Sequence, residues 1–185
     1  MKSYSKINMK QLITIGLIFF SGIAHAQVPE NIQKESIKKL NWLLGEWSGS
    51  TVVNMGGKKS IVFVKETVKL SLDSTIYIIN GRGTEKDSIT NKEIIVHDAF
   101  AVVSFDEKQN KFRWNAWRIP GGTYGEMEIK LGNKSFEWST QVKGGQTRYK
   151  ASLNEKGQWI EIGEFSSDGV KWFKYITMTL NKIKF

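Results

Sequence analysis

Residues 134–153 read "KSFEWSTQVKGGQTRYKASL". Phe136, Trp138, Thr140 and Val142 occupy alternate positions, with Glu137, Ser139 and Gln141 between them. After Gly144-Gly145 the alternation resumes, with Tyr149, Ala151 and Leu153 set against Arg148, Lys150 and Ser152. A period of two with one apolar face and one polar face marks a half-solvated antiparallel sheet. The glycine pair supplies the positive φ that a tight hairpin needs. This stretch therefore reads as two strands and a turn.

The same grammar extends in both directions. Strands are expected at about 46–55, 59–70, 74–83, 93–105, 110–118, 122–131, 134–142, 146–154, 157–166 and 170–182. Short Gly-, Asn- and Asp-rich separators divide them, so neighbours are antiparallel and mostly sequential. A flat sheet of this width would leave exposed edges and would curl. Closure into an up-and-down barrel removes the edges. A two-sheet sandwich is the alternative, but it usually needs long crossovers. Only Lys86 to Lys92 offers much slack. The expected fold is all-β, an antiparallel up-and-down barrel of about 8–10 strands.

Before the first strand, Ile37, Leu40 and Leu44 recur at helical spacing, with Leu43 beside them. A short helix is expected over about 30–44, with Pro29 at its start and Gly45 as its C-terminal cap. Residues 1–26 have the form of a Sec signal peptide. Lys2, Lys6 and Lys10 precede an apolar run from Leu12 to Ile23, and Ala24-His25-Ala26 supplies the small-x-small cleavage pattern. The run is short for a membrane span, so no membrane insertion is expected after cleavage. The expected product is one domain, residues 27–185, with its barrel at about 46–183. The expected location is periplasmic or secreted, without a lipid anchor, because no cysteine follows the apolar run.

Without cysteines, such a domain is held together by burial rather than by disulfides. Removing the three leader lysines leaves 24 basic against 18 acidic residues. The lysines are interleaved with acids and form no basic stripe, so nucleic acid is not an expected partner.

The stretch "LNWLLGEWSGS", residues 40–50, links helix to barrel. Gly45-Glu46-Trp47 resembles the G-x-W signature of lipocalins and other calycins. More closely, Leu40 to Gly49 resembles the L-x-x-L-x-G-x-W-x-G opening of small lipocalin-like bacterial domains of unknown function. The stretches "VVSFDEKQNKFRW" (102–114), "GQWIEIGEFSSDGVKWFK" (157–174) and "MTLNKIKF" (178–185) are also similar to that group. The resemblance implies that Trp47 packs across the closed barrel end beneath a basic residue near the last strand. Lys182 or Lys184 would take that place, and Gly45 and Gly49 complete the structural motif. Related barrels hold haem on a late-strand histidine. No histidine occurs on strand 170–182, so neither haem nor any other cofactor is expected.

One histidine, His97, follows the leader, and there is no cysteine, so no metal site of ordinary ligand type is expected. His97 reads as a surface or strand-edge residue, with acid/base work as the alternative. No phosphate loop, nucleophile elbow or calcium loop occurs. Six of the seven tryptophans follow the helix. Aromatics with a few interleaved polar groups suit a barrel lumen that takes a small hydrophobic or amphipathic molecule. The candidate ligand-binding residues are Trp114, Arg118, Glu126, Trp138, Arg148, Tyr149, Glu164 and Trp172. Glu164 shares its phase with Ile160 and Ile162 and is expected to point inward. No catalytic residue is assigned. An enzyme using Glu164, Glu126 or His97, such as an isomerase, cyclase or hydrolase, stays open as an alternative. So does a structural or interaction protein of the envelope with a filled barrel.

Overall fold

A computed structural model describes residues 31–184, apart from the side chains of Thr123, Tyr124 and Lys184. The leader, its cleavage site and Pro29 lie outside the described residues. A helix α1 (Ile32–Lys38) and a 3₁₀ turn (Asn41–Leu43) precede ten strands. These are β1 (Gly45–Met55), β2 (Lys58–Ser71), β3 (Ile76–Lys86), β4 (Glu93–Asp106), β5 (Lys111–Ile119), β6 (Gly122–Gly132), β7 (Ser135–Val142), β8 (Gly145–Leu153), β9 (Trp159–Ser166) and β10 (Phe173–Lys184). Each strand pairs antiparallel with its sequence neighbour, and β1 pairs with β10 to close the barrel. The order is that of a meander, with no crossover.

The closing ladder depends on a glycine. A Cβ at Gly49 would lie 2.0 Å from the Thr179 carbonyl oxygen on β10, so no side chain fits there. Alternate residues on each strand point inward. The core contains Trp47, Val64, Val68, Tyr77, Val103, Phe136, Trp159 and Leu180.

The helix is shorter than its periodicity suggests. Asn31 caps its start by accepting a hydrogen bond from the Lys34 amide at 3.0 Å. The α-helix ends at Lys38 and the chain tightens into the 3₁₀ turn. Three residues per turn align i and i+3 more closely than 3.6 do. This suits Ile37, Leu40 and Leu43, which are all buried to 1 % exposure. Gly45 is therefore not the helix cap. It opens β1 with φ 119°, a conformation in which a side chain would be strained.

The helix and the first residues of β1 lie at one barrel end, with the β2–β3 turn. Lys34 of α1 reaches Asp73 in that turn. The Trp47 indole donates to the Leu43 carbonyl at 2.7 Å, and the Tyr77 hydroxyl donates to Asn41 Oδ1 at 2.6 Å. The Lys182 ammonium lies 4.8 Å from the Trp47 ring centroid, within reach of a cation–π attraction. This end is plugged. The β1–β2, β3–β4, β5–β6, β7–β8 and β9–β10 turns form the other end.

Candidate functional site in the barrel lumen

An open cavity of about 960 Å³ occupies the barrel toward the unplugged end. Its size follows from small residues on the inner wall. Gly81 leaves room for Glu66 from the neighbouring strand: a Cβ there would lie 2.4 Å from Glu66 Oε1. Gly163 leaves room for the Tyr149 ring in the same way, at 2.9 Å. Ala99, Ala101 and Ala116 line other parts of the wall.

One side of the cavity is aromatic. Trp138 stacks on Tyr149 at 4.7 Å and on Trp114 at 5.1 Å. Trp114 and Trp138 both pack on Phe136, which touches Trp42. Trp42 and Trp47 both meet Trp159 edge-on, at 6.5 and 5.8 Å. A continuous ring-to-ring spine thus runs from the plugged end into the cavity wall. Tyr149 and Tyr175 join hydroxyl to hydroxyl at its far end. Burial, and then the Tyr175 hydroxyl, push the Tyr149 phenol far above its usual range, so it stays protonated.

The cavity also holds two carboxyl groups, Glu66 of β2 and Glu161 of β9. Among the described residues, neither has a hydrogen-bond or ion-pair partner. Burial raises the Glu161 pKa from 4.5 to about 7. Glu66 is raised well above its ordinary value, first by burial and then by repulsion from Glu161. Loss of hydration disfavours the charged form, and a like charge nearby adds to the effect. His97 and Arg118 line the same cavity. Burial, and then Arg118, lower the His97 pKa and favour its neutral form.

The eight candidate residues separate into groups. Trp114, Arg118, Trp138 and Tyr149 line the lumen. Arg148, Glu164 and Trp172 gather on the outer face instead, in a surface depression of about 480 Å³ that Trp138 and Tyr149 also border. Arg148 Nε donates to Glu164 Oε2 at 2.6 Å, and its guanidinium lies 4.0 Å over the Trp172 ring. Glu126 lies on neither cavity and pairs with Arg113 at 3.0 Å.

The inward orientation expected of Glu164 is corrected. Trp159, Glu161 and Phe165 line the lumen, while Ile160 and Ile162 share the outer face with Glu164. His97 is likewise part of the lumen wall rather than a surface or edge residue. Glu66 escaped the sequence reading, although it is in phase with Val62, Val64 and Val68, all core residues. An acid in register with buried valines was the signal available.

Among the described residues, no group of three or more His, Cys, Asp or Glu side chains is placed to hold a metal ion. The chain matches no protein-family model, and no curated protein matches it.

Proposed function

We propose that the protein is an exported, lipocalin-like carrier that holds one small, partly apolar molecule in its lumen. The observation that carries this reading is the open cavity of about 960 Å³, walled by stacked aromatics and containing two carboxyls without partners among the described residues. Small-molecule sites are typically of this size, apolar, and supplied with a few polar groups. A barrel that served only as scaffold would gain stability by filling this space with side chains. The lipocalin-like assignment draws on the meander order and on the Trp47–Lys182 contact at the plugged end. Export draws on the pattern of residues 1–26.

A second reading is acid–base catalysis in the same lumen. The observation favouring it is Glu161, whose carboxyl titrates near neutrality, where a general base works best.

Native mass spectrometry of the protein isolated from its own cells tests both. The carrier reading expects a bound molecule of small-ligand mass that is released unchanged. The catalytic reading expects that molecule to be converted during incubation. An empty protein, with tryptophan fluorescence indifferent to fatty-acid, retinoid and porphyrin probes, would contradict the carrier.

A further inference from the structure

The carrier reading leaves the chemical class of the ligand open, and the polar groups of the lumen narrow it. Glu66 and Glu161 enter from β2 and β9, strands separated in the barrel by β1 and β10, and their carboxyls come near enough across the lumen for Glu161 to repel a charge on Glu66. The aromatic spine through Trp114, Trp138 and Tyr149 supplies π-faces to the same space. A buried carboxylate needs a counter-cation, and among the described residues none is paired with these two. An indole or phenol face attracts cations as well. Anions and uncharged lipids would satisfy neither feature.

A third group points to a bound molecule independently. Trp159 lines the cavity at 2 % exposure, and its Nε1–H is buried with no hydrogen-bond partner among the described residues. It shares a strand face with Glu161, two residues away. An acceptor atom beside the cation would satisfy it.

We infer that the lumen ligand is an organic amine with an apolar, ring-bearing body, its ammonium held by Glu66 and Glu161 and its rings laid against the Trp114–Trp138–Tyr149 wall. This inference rests on the carrier reading and specifies the ligand class for that same site.

The other charged or titratable groups lining the cavity, besides the Tyr149 phenol, are His97 of β4, Arg118 of β5, Glu85 of β3, Tyr175 of β10, and Lys143 and Lys174. Lys143 and Lys174 lie at or beside turns of the open end. A basic mouth disfavours cation entry through its field but not cation residence at the carboxyl pair. In the empty lumen the carboxyls resist ionisation. Amine binding therefore requires a proton to leave, and affinity rises with pH across the Glu161 range.

Calorimetry with three matched probes tests this: naphthylethylamine, naphthylethanol and naphthylacetate. At pH 8 the amine is expected to bind at least about tenfold more tightly than the alcohol, and the acetate more weakly than either. Amine affinity is expected to rise several-fold between pH 6 and pH 8, with proton release into the buffer, while alcohol affinity stays flat. Glu161→Gln and Glu66→Gln are expected to abolish the amine preference and keep alcohol binding. His97→Gln is expected to keep the pH dependence.

Equal binding of amine and alcohol, or an amine preference that survives both carboxyl substitutions, would overturn the amine inference and leave the carrier standing. Failure of all three probes to bind would overturn the carrier reading with it.

Discussion

Replacing Glu161 by Gln is expected to stabilise the barrel at pH 8 and to leave it unchanged near pH 4. The folded protein holds a proton on Glu161 up to about pH 7, whereas the unfolded chain releases it near 4.5. A group with a raised folded-state pKa contributes its full stability below the unfolded value. That stability is lost as pH rises from about 4.5 through about 7. With 1.36 kcal/mol for each pKa unit, the loss approaches about 3 kcal/mol above pH 7. Glutamine is uncharged and escapes it. For a domain of this size the gain corresponds to roughly 10 °C in Tm. Glu66→Gln should act in the same direction, because Glu66 is raised by burial and by Glu161. Thermal denaturation followed by circular dichroism from pH 4 to pH 8 measures the effect. A wild-type Tm that does not fall across this range, or a Glu161→Gln protein no more stable at pH 8, would contradict the placement of this carboxyl in the lumen. Binding of the proposed ligand would respond oppositely, since the groups that destabilise the empty barrel are those assigned to it. Such opposition between stability and function is common at sites.

Trp47→Ala is expected to cost about 4–5 kcal/mol, the upper part of the range for removing a large buried aromatic. Trp47 is 1 % exposed and meets Trp159 edge-on. Its truncation also strands the Leu43 carbonyl, which accepts its indole N–H at 2.7 Å, and removes the ring beneath Lys182. An unsatisfied buried acceptor adds a penalty beyond the cavity itself. Trp47→Phe keeps most of the volume and loses the hydrogen bond, so it should cost about 1–2 kcal/mol. Urea unfolding gives both values. A loss under about 1 kcal/mol for Trp47→Ala would show that the plugged end does not stabilise the barrel.

The architecture was legible because period-two alternation and short turns are local signals. All ten expected strands correspond to β1–β10, with ends displaced by a few residues. The 3₁₀ turn was not legible, because Ile37, Leu40 and Leu43 fit either helical period at such short range. The site was legible only in part. Trp138 and Tyr149 sit on strands with one apolar and one polar face, and Trp114 alternates with Arg113 and Asn115, which made all three candidates for the lining. Strand β9 offers no such contrast, since "WIEIGEFS" places apolar residues and one glutamate on each face. A lumen that admits carboxyls and an outer wall that carries half-buried isoleucines reverse the usual rule there. The same reversal hid Glu66 between Val64 and Val68. Arg148, Glu164 and Trp172, expected among the lumen residues, meet one another on the outer face of the wall instead.

The central claim is that small molecules occupy the lumen rather than the outer face. Nitrogen-15 indole resonances of the tryptophans, followed during titration with naphthylethanol, test it residue by residue. The account predicts progressive, saturable shifts at Trp114, Trp138 and Trp159, which line the cavity, with Trp172 on the outer face unmoved. Saturable shifts at Trp172 alone, or no saturable shift at any indole, would contradict it.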